Sequence, residues 1–572
     1  MLLQRLREYA DRLDLPPTYY RERPIRYVIE LSIEGKLLAR TPTDLADPSN
    51  SRTRFGQPRL APYVVRTYAT RPWLLCDDAE YTLRRPVNGD NVRASERHEA
   101  YVRLVERCAA DTGHERVGAV ARALSGGLQQ QLESETLAPK GLITFRVDGQ
   151  LVIDLPSVRS FWARHNSPGD NRGQCLICGH EGPVLERLKD QIRGIPGDRG
   201  GASLISANAE AFESYGLKDS LVAPVCPACA ERFTKAANAL LDDRGNHLVV
   251  GDTVFAFWTR ESVGFSFMDF LKDPQPEDVR ALLSSVYSGG RIPEVDESGF
   301  CATQLSRTRT RVVVRDWIDT TVGEAKRHLA NWFKHQRIVD AYGAEAVPLG
   351  IRALAEATVR DPSAGLAPGT SQSLIRGALQ GHPLPMSLLY RASVRNRAGR
   401  EKDRTGVMRE IMPYPRAALI KLVLASQQLS DKEDTMVQLD RDNLDPAYRC
   451  GRLLALLERT QQAALGDVNA SLVDRFYGTA SSAPGSVFGL LVRGAQAHLG
   501  KLQNTQSSAY WAIQKELEEV LAGISAFPRT LDLVQQGLFA LGYYHQRAYG
   551  RAQAQERRRE RESATTDAGT EE

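Results

Sequence analysis

Arg311-Val312-Val313-Val314 is a short β-branched run, the last clear strand signal before the sequence changes character near Val322. Upstream of it the chain mixes strand and helix patterns. The nearest earlier strand signal covers residues 247–258. Further back, Ile25, Tyr27, Ile29, Leu31 and Ile33 recur at every second position, and Glu34-Gly35 offers a turn before Lys36-Leu37-Leu38, which predicts a β-hairpin. A second hairpin is predicted for 142–147, the turn Asp148-Gly149, and 151–153. Between the hairpins, residues 96–132 carry helical spacing. At the start, Leu2, Leu3, Leu6, Tyr9 and Leu13 form a short amphipathic helix that Pro16-Pro17 stops. Downstream of Val322 the periodicity is helical, with segments at 416–427, 447–465, 486–502, 509–521 and 531–544. In the last, Leu531, Val534, Leu538 and Leu541 make one apolar stripe.

The predicted class is therefore α+β: a mixed N-terminal and central region with β-hairpins and a zinc-stapled insertion, followed by an all-helical C-terminal bundle. The segments are 1–155 (an N-terminal α+β domain), 156–245 (glycine-rich and bearing paired cysteines), 246–415 (a mixed core with basic clusters), 416–550 (the bundle) and 551–572 (a charged, disordered tail).

A chain of 572 residues can bury several cores, and its 42% hydrophobic and 25% charged content is that of a globular protein. No apolar run is long enough to span a bilayer, and Arg5 interrupts the first residues too early for a secretory signal, so the expected location is cytoplasmic, with no membrane partner. The net charge is only +4, so any nucleic-acid surface must gather its cations locally.

Of eight cysteines, Cys76, Cys108, Cys301 and Cys450 lie alone and read as small core residues. The others form two CxxC pairs: Cys175-Leu176-Ile177-Cys178-Gly179, and Cys226-Pro227-Ala228-Cys229 at the start of a helix. Each pair sets two thiolates on a tight knuckle, and two knuckles complete the tetrahedral shell of a structural Zn2+. Four thiolates leave no position for a reacting water, so catalytic zinc is not expected. The alternatives are two empty reduced pairs, or His180 in place of one cysteine.

Enzyme signatures are absent from the sequence. Residues 194–201 are glycine-rich but lack the Gly-Lys-Ser/Thr ending of a phosphate loop, and there is no GxSxG or HExxH. Cations cluster in three places: Arg52, Arg54, Arg59, Arg66 and Arg71 beside Asn50 and Gln57; Arg307, Arg309, Arg311 and Arg315 around the opening strand; and Arg391, Arg395, Arg397, Arg400, Lys402 and Arg404, continuing to Arg409 and Arg416. Each reads either as a phosphate track or as an ordinary solvated face.

Several stretches in order resemble the large subunit of type I-C CRISPR surveillance complexes, the Csd-one or Cas-eight-c family. The most specific runs from Gln191-Ile192-Arg193-Gly194-Ile195-Pro196-Gly197 through Gly201-Ala202-Ser203-Leu204-Ile205-Ser206-Ala207-Asn208 to Ala211-Phe212-Glu213-Ser214-Tyr215-Gly216. Others are Val314-Arg315-Asp316-Trp317 and Tyr448-Arg449-Cys450-Gly451-Arg452-Leu453-Leu454. The family pattern usually has an aromatic residue where Ala207 stands.

That resemblance implies a non-catalytic subunit assembled with a guide RNA, backbone subunits and an RNA-processing subunit. It would read a short motif beside the target in double-stranded DNA, aid duplex opening and recruit a helicase-nuclease. It also implies a small helical subunit made from the same gene by an internal start, for which Met436 is one candidate. Motif reading is expected on Arg54, Gln57 and Arg59 and on Arg193, Ser206, Asn208 and Tyr215, with Arg307, Arg309, Arg311, Arg315, Arg395, Arg397 and Arg400 holding strands. The competing readings are a zinc-dependent nucleic-acid-processing enzyme and a zinc-stapled interaction scaffold.

Overall fold

The computed structural model describes all residues except 14, 18, 52, 65, 67–69, 87–89, 134–136, 139, 167–170, 189–190, 198–199, 208, 214, 288–292, 309–310, 368, 399–409, 429–435, 467–469 and 569–572. The chain divides into two compact units. One is Met1–Arg193 with Gly200–Ala239 and Arg309–Val312; the other is Gly194–Arg199 with Leu240–Thr308 and Val313–Glu572. Among the described residues, no helix is long and apolar enough to cross a membrane.

The first unit is built on a six-stranded sheet of β1 (Tyr20–Leu31), β2 (Thr43–Asp44), β3 (Gln57–Pro62), β4 (Cys76–Asp77), β5 (Leu142–Val147) and β6 (Gln150–Leu151). The order is β2-β1-β5-β4, with β3 also on β1 and β6 on β5. β1 and β5 run parallel, Tyr27 facing Ile143 and Leu31 facing Val147. A parallel pair needs a long crossover, and here it includes helices Asn91–Thr112 and Glu115–Ser125. The alternating residues Ile25, Tyr27, Ile29 and Leu31 are all buried, packed with Tyr101, Val105, Val120, Phe145 and Trp162.

Both predicted hairpins are shorter than the sequence suggests. The Glu34-Gly35 turn forms, but Leu37 makes only an isolated bridge to Leu31. The turn is held from outside: the Arg122 guanidinium donates to the carbonyls of Ile33 and Glu34 at 2.7 and 3.2 Å, so a long return arm is unnecessary. At the second site β6 is two residues long, and Val152–Asp154 turns into a 3-10 helix. Val152 and Ile153 are both fully buried.

The second unit carries β9 (His247–Val250), β10 (Thr253–Thr259), β11 (Gly299–Thr308) and, from Val313 onward, β12 (Arg311–Thr321), in the order β12-β11-β10-β9; β7 (Arg172–Gln174) and β8 (Glu181–Pro183) form a separate pair in the first unit. β11 escapes sequence reading because Thr303, Gln304 and Ser306 are buried with their apolar neighbours, erasing any alternation. The change to helix falls at Val322, where the Thr321 hydroxyl caps helix Val322–Gln336 by accepting from Glu324 N–H. Helices Tyr414–Ser426, Pro446–Leu465, Leu472–Ala480, Phe488–Thr505, Ser507–Ala522 and Leu533–Ala568 follow. They share one continuous core with the sheet, running from Phe257 and Phe300 through Leu329, Leu389 and Ile420 to Leu454 and Phe539. The charged run from Gln555, expected as a frayed helix running into disorder, continues the last helix to Ala568.

Helices Pro446–Leu465 and Leu533–Ala568 bury polar groups between them. Arg452 donates to Gln546 at 3.0 Å and to Glu519 at 2.7 Å, and the Tyr543 hydroxyl donates to Glu458 at 2.8 Å. The Tyr448 oxygen accepts from Asp440 N–H at 3.1 Å, which leaves its proton for His545 Nδ1, 2.9 Å away. Only a neutral imidazole can accept that proton. Burial accordingly pushes the His545 pKa from its ordinary 6.5 down to about 3.

As pH falls below 6.5 the unfolded chain takes up a proton there and the folded chain does not. Stability from this group is thus complete above pH 6.5 and is lost toward pH 3, by up to about 1.4 kcal/mol per pH unit. Thermal midpoints measured from pH 7 to pH 5 should fall, and His545→Gln should flatten that slope. An unchanged slope would place the titrating group elsewhere.

Candidate metal centre and nucleic-acid interface

The first cysteine pair sits at the end of a small hairpin, β7 (Arg172–Gln174) with β8 (Glu181–Pro183). Its knuckle closes through Gly179 N–H to the Cys175 carbonyl at 2.8 Å and Cys175 N–H to the His180 carbonyl at 3.0 Å. Gly179 takes a φ of +72°, the left-handed turn a glycine adopts without strain. The second pair straddles the start of helix Pro227–Asp242, where unpaired N–H groups and the helix dipole favour thiolate. The Leu176 N–H reaches the Pro224 carbonyl at 3.0 Å and Leu185 N–H the Val225 carbonyl at 2.9 Å, tying the two knuckles together across about fifty residues of chain.

All four sulfurs lie within 4.8 Å of one another, and Cys178 Sγ is 3.9 Å from Cys226 Sγ. A tetrahedral zinc about 2.3 Å from each sulfur requires edges of about 3.8 Å, so the cluster has the size of that shell. Cys226 N–H also donates to Cys175 Sγ at 3.4 Å. Hydrogen bonding from the Cys229 thiol brings the Cys226 pKa down to about 5, and the same bond raises Cys229. A thiolate at Cys226 among shared protons is a donor set prepared for a cation. His180 is exposed and outside this group. The four sulfurs, without His180, are the ligand set the residues fit. The lone cysteines Cys76, Cys108, Cys301 and Cys450 are buried, as their isolation in sequence suggests.

The segment between the knuckles returns on itself through an antiparallel bridge of Ile192 with Ala202. Ser203 then bridges Arg311, and Val312 N–H donates to the Ser203 carbonyl at 3.0 Å. The Arg311 guanidinium lies 3.9 Å from the Phe212 ring centroid. Two stretches nearly a hundred residues apart in sequence therefore meet. Beyond Phe212 the loop is exposed: Tyr215 is 99% accessible, on a φ of +54°, and Phe212 and Leu217 are 51% and 42% accessible. Of the other expected contacts, Arg193 is exposed, its N–H bonded to Asn238 Oδ1 at 2.9 Å, and Ser206 is half-buried; Asn208 lies outside the described residues.

In the N-terminal group, Arg54, Gln57 and Arg59 are all exposed, with Arg59 donating to Gln57 Oε1 at 3.4 Å and Arg54 5.0 Å from the Phe55 ring. Gly56 permits this loop: a Cβ there would lie 2.5 Å from the Ile25 carbonyl oxygen, and its φ is +133°. Two further arginines on the same face, Arg21 and Arg23 of β1, were not singled out by sequence.

The remaining basic clusters are drawn partly into the fold. Arg315 donates to the Ser306 hydroxyl at 2.8 Å, and Arg307 is half-buried. Arg395 and Arg397 occupy the last turn of helix Met386–Arg397, where Arg397 bonds Gln536. Arg416 is buried against Asn396 and the Ile411 carbonyl. The described part of that run is thus helix, with side-chain bonds to the fold at Arg391, Arg397 and Arg416. Arg309 and Arg400 lie outside the described residues.

Compared with known proteins, residues 3–549 match the model of one family, described as CRISPR-associated protein (Cas_Csd1). No curated protein matches the chain.

Proposed function

The chain belongs to the CRISPR-associated Cas_Csd1 family, the large subunits of type I-C Cascade, and from that premise we propose that it is the subunit that reads the target-adjacent motif in double-stranded DNA, aids duplex opening and recruits a separate helicase-nuclease. Such a subunit assembles with a guide RNA and other Cas proteins. It carries no active site of its own in this reading, and zinc at the cysteine quartet holds the reading segment in place.

The observation that supports this reading most is the exposed loop of Phe212, Tyr215 and Leu217 beside Arg311. Large apolar groups this accessible cost solubility and contribute nothing to the core. Beside a guanidinium they have the chemistry of a base-stacking element: the aromatic ring receives an unpaired base and the cation its phosphate. Gln57, with Arg54 and Arg59 on the same loop and strand, has the donors and acceptors for base edges, and the Asn208 side chain has the same chemistry.

The test is binding of guide-matched DNA by the complex assembled on this chain. Wild-type complex should bind a matched duplex with the correct flank and co-purify with guide RNA. Phe212→Ala with Tyr215→Ala should weaken duplex binding by about ten- to a hundredfold, since each stacked base contributes roughly 1–3 kcal/mol, and should slow strand separation beside the flank. Wild-type affinity and opening rate in this variant would remove the loop's role. Turnover of nucleic acid by the isolated, zinc-bound chain would favour the enzyme reading.

A further inference from the structure

The antiparallel ladder of β1 and β3 sets Arg23 directly opposite Arg59, with Arg21 opposite Ala61 and Ile25 opposite Gln57. Residues directly opposite share a face, so Arg21, Arg23, Arg59 and Gln57 stand on one side of this ribbon. Like charges opposite each other destabilise a ladder unless something compensates. Among the described residues no carboxylate does so here. Nearby Arg26 pairs with Asp44 at 3.2 Å, but among the described residues Arg21, Arg23 and Arg59 make no ion pair.

Arg23 is the most constrained of the three. Its guanidinium lies 3.7 Å from the Trp73 ring centroid, and that of Arg66 lies 3.6 Å from the same centroid. Two groups so close to one centroid fit only on opposite faces of the indole. Arg66 is neutralised by buried Asp77. Arg23 is not, and its Nη1 is buried without a hydrogen-bond partner. Tyr63 flanks it, its ring 5.4 Å from Arg23 and 5.5 Å from Arg21. A half-buried cation held in place by aromatic rings, with a donor left over and two exposed arginines beside it, is preorganised for an anion. Neighbouring positions on one face of a strand are about 6.8 Å apart, which suits a polyanion with repeated charges better than a single small ion.

We propose that Arg21, Arg23 and Arg59 form a phosphate clamp that grips the backbone of the target duplex next to the bases read by the Arg54–Gln57 loop. The inference rests on the reading above, because continuity with Gln57, which accepts from Arg59, is what assigns the clamp to DNA instead of guide RNA. Phosphate contacts fix register and carry no sequence information, so the clamp sets affinity and leaves the choice of motif to its neighbours.

The test uses the guide-loaded complex and the double variant Arg21→Ala with Arg59→Ala, both exposed positions. Duplex affinity should fall at least tenfold near physiological salt. The slope of log affinity against log salt should lessen by about 2, close to 0.9 per lost phosphate contact. Guide content and thermal midpoint should not change, and Arg21→Ala alone, opposite Ala61 and away from Gln57, should leave the preference among flanking motifs as it is. Arg23→Met, which keeps contact with Trp73 and removes the charge, should lower affinity further without lowering the midpoint.

Wild-type affinity and slope in the double variant would overturn the clamp. Loss of guide RNA would overturn its assignment to DNA. Failure of the unmodified complex to bind any matched duplex would instead refute the functional reading, and the clamp with it.

Discussion

Protein purified without chelator is expected to carry stoichiometric zinc, and Cys226→Ser with Cys229→Ser to carry none. The region at stake has little else to hold it. β7 and β8 are three residues each, and from there to helix Pro227–Asp242 the described chain is mostly turns and isolated bridges. Such a segment buries too little apolar surface to offset its ordering entropy, so a metal supplies what a core would.

Apparent zinc binding in small zinc domains contributes on the order of 10 kcal/mol, and some of it here is ordering of residues 171–229. Stripping the metal should therefore expose Arg187 and Arg193 to trypsin well before the two large cores unfold, and should weaken target binding by loosening the Phe212 to Leu217 loop. Acid should act like a chelator, because each thiolate must take a proton before it releases the ion. Cys108→Ala, at a buried lone cysteine, should keep its zinc. Metal-free protein, with all four thiols promptly alkylated and an unchanged cleavage pattern, would leave the quartet as four reduced cysteines and no more.

The quartet was legible because its chemistry is local: CxxC spacing describes a knuckle whatever surrounds it. The bundle was legible because 3.6-residue periodicity is local too, and the switch at Val322 coincides with an observed helix start. What sequence did not yield depends on partners far along the chain. β3 reads as a loop because Gln57-Pro58-Arg59-Leu60-Ala61-Pro62 holds two prolines, tolerated only where a strand leaves N–H groups unpaired, as at an edge. Without β3, Arg21 and Arg23 look like two solvated charges on a strand end, and no pattern in the sequence faces them with Arg59. Likewise nothing local announces that Arg311 meets Phe212. In the run through Arg416 the sequence shows only that cations cluster, and not that Arg416, on a helix, turns inward to the Asn396 amide and the Ile411 carbonyl.

Gly451→Leu should unfold the second unit, or leave it insoluble, with a cost above about 4 kcal/mol. Gly451 sits inside helix Pro446–Leu465, where a glycine costs roughly 1 kcal/mol relative to alanine. It is kept for closeness. A Cβ at Gly451 would lie 2.0 Å from the Phe539 carbonyl oxygen and 2.8 Å from Tyr543 N, and one at Gly542 would lie 2.1 Å from the Tyr448 carbonyl oxygen. Each helix thus gives up one side chain so that the two backbones touch.

Any larger residue must drive the helices apart, and the polar groups buried between them cannot follow. His545 would lose Tyr448, Glu458 would lose Tyr543, and Arg452 would be left with a buried charge. Even alanine should lower the thermal midpoint sharply. Gly500 gives the opposite expectation. It is exposed within helix Phe488–Thr505, and a Cβ added there would meet nothing within 4 Å, so Gly500→Ala should stabilise by about 0.5–1 kcal/mol. Scanning calorimetry of both variants separates the two effects, which differ in sign: helix propensity alone makes both alanines favourable, and backbone contact makes only Gly451→Ala costly. A Gly451→Leu protein with the wild-type midpoint would mean that these helices do not cross where the structure has them.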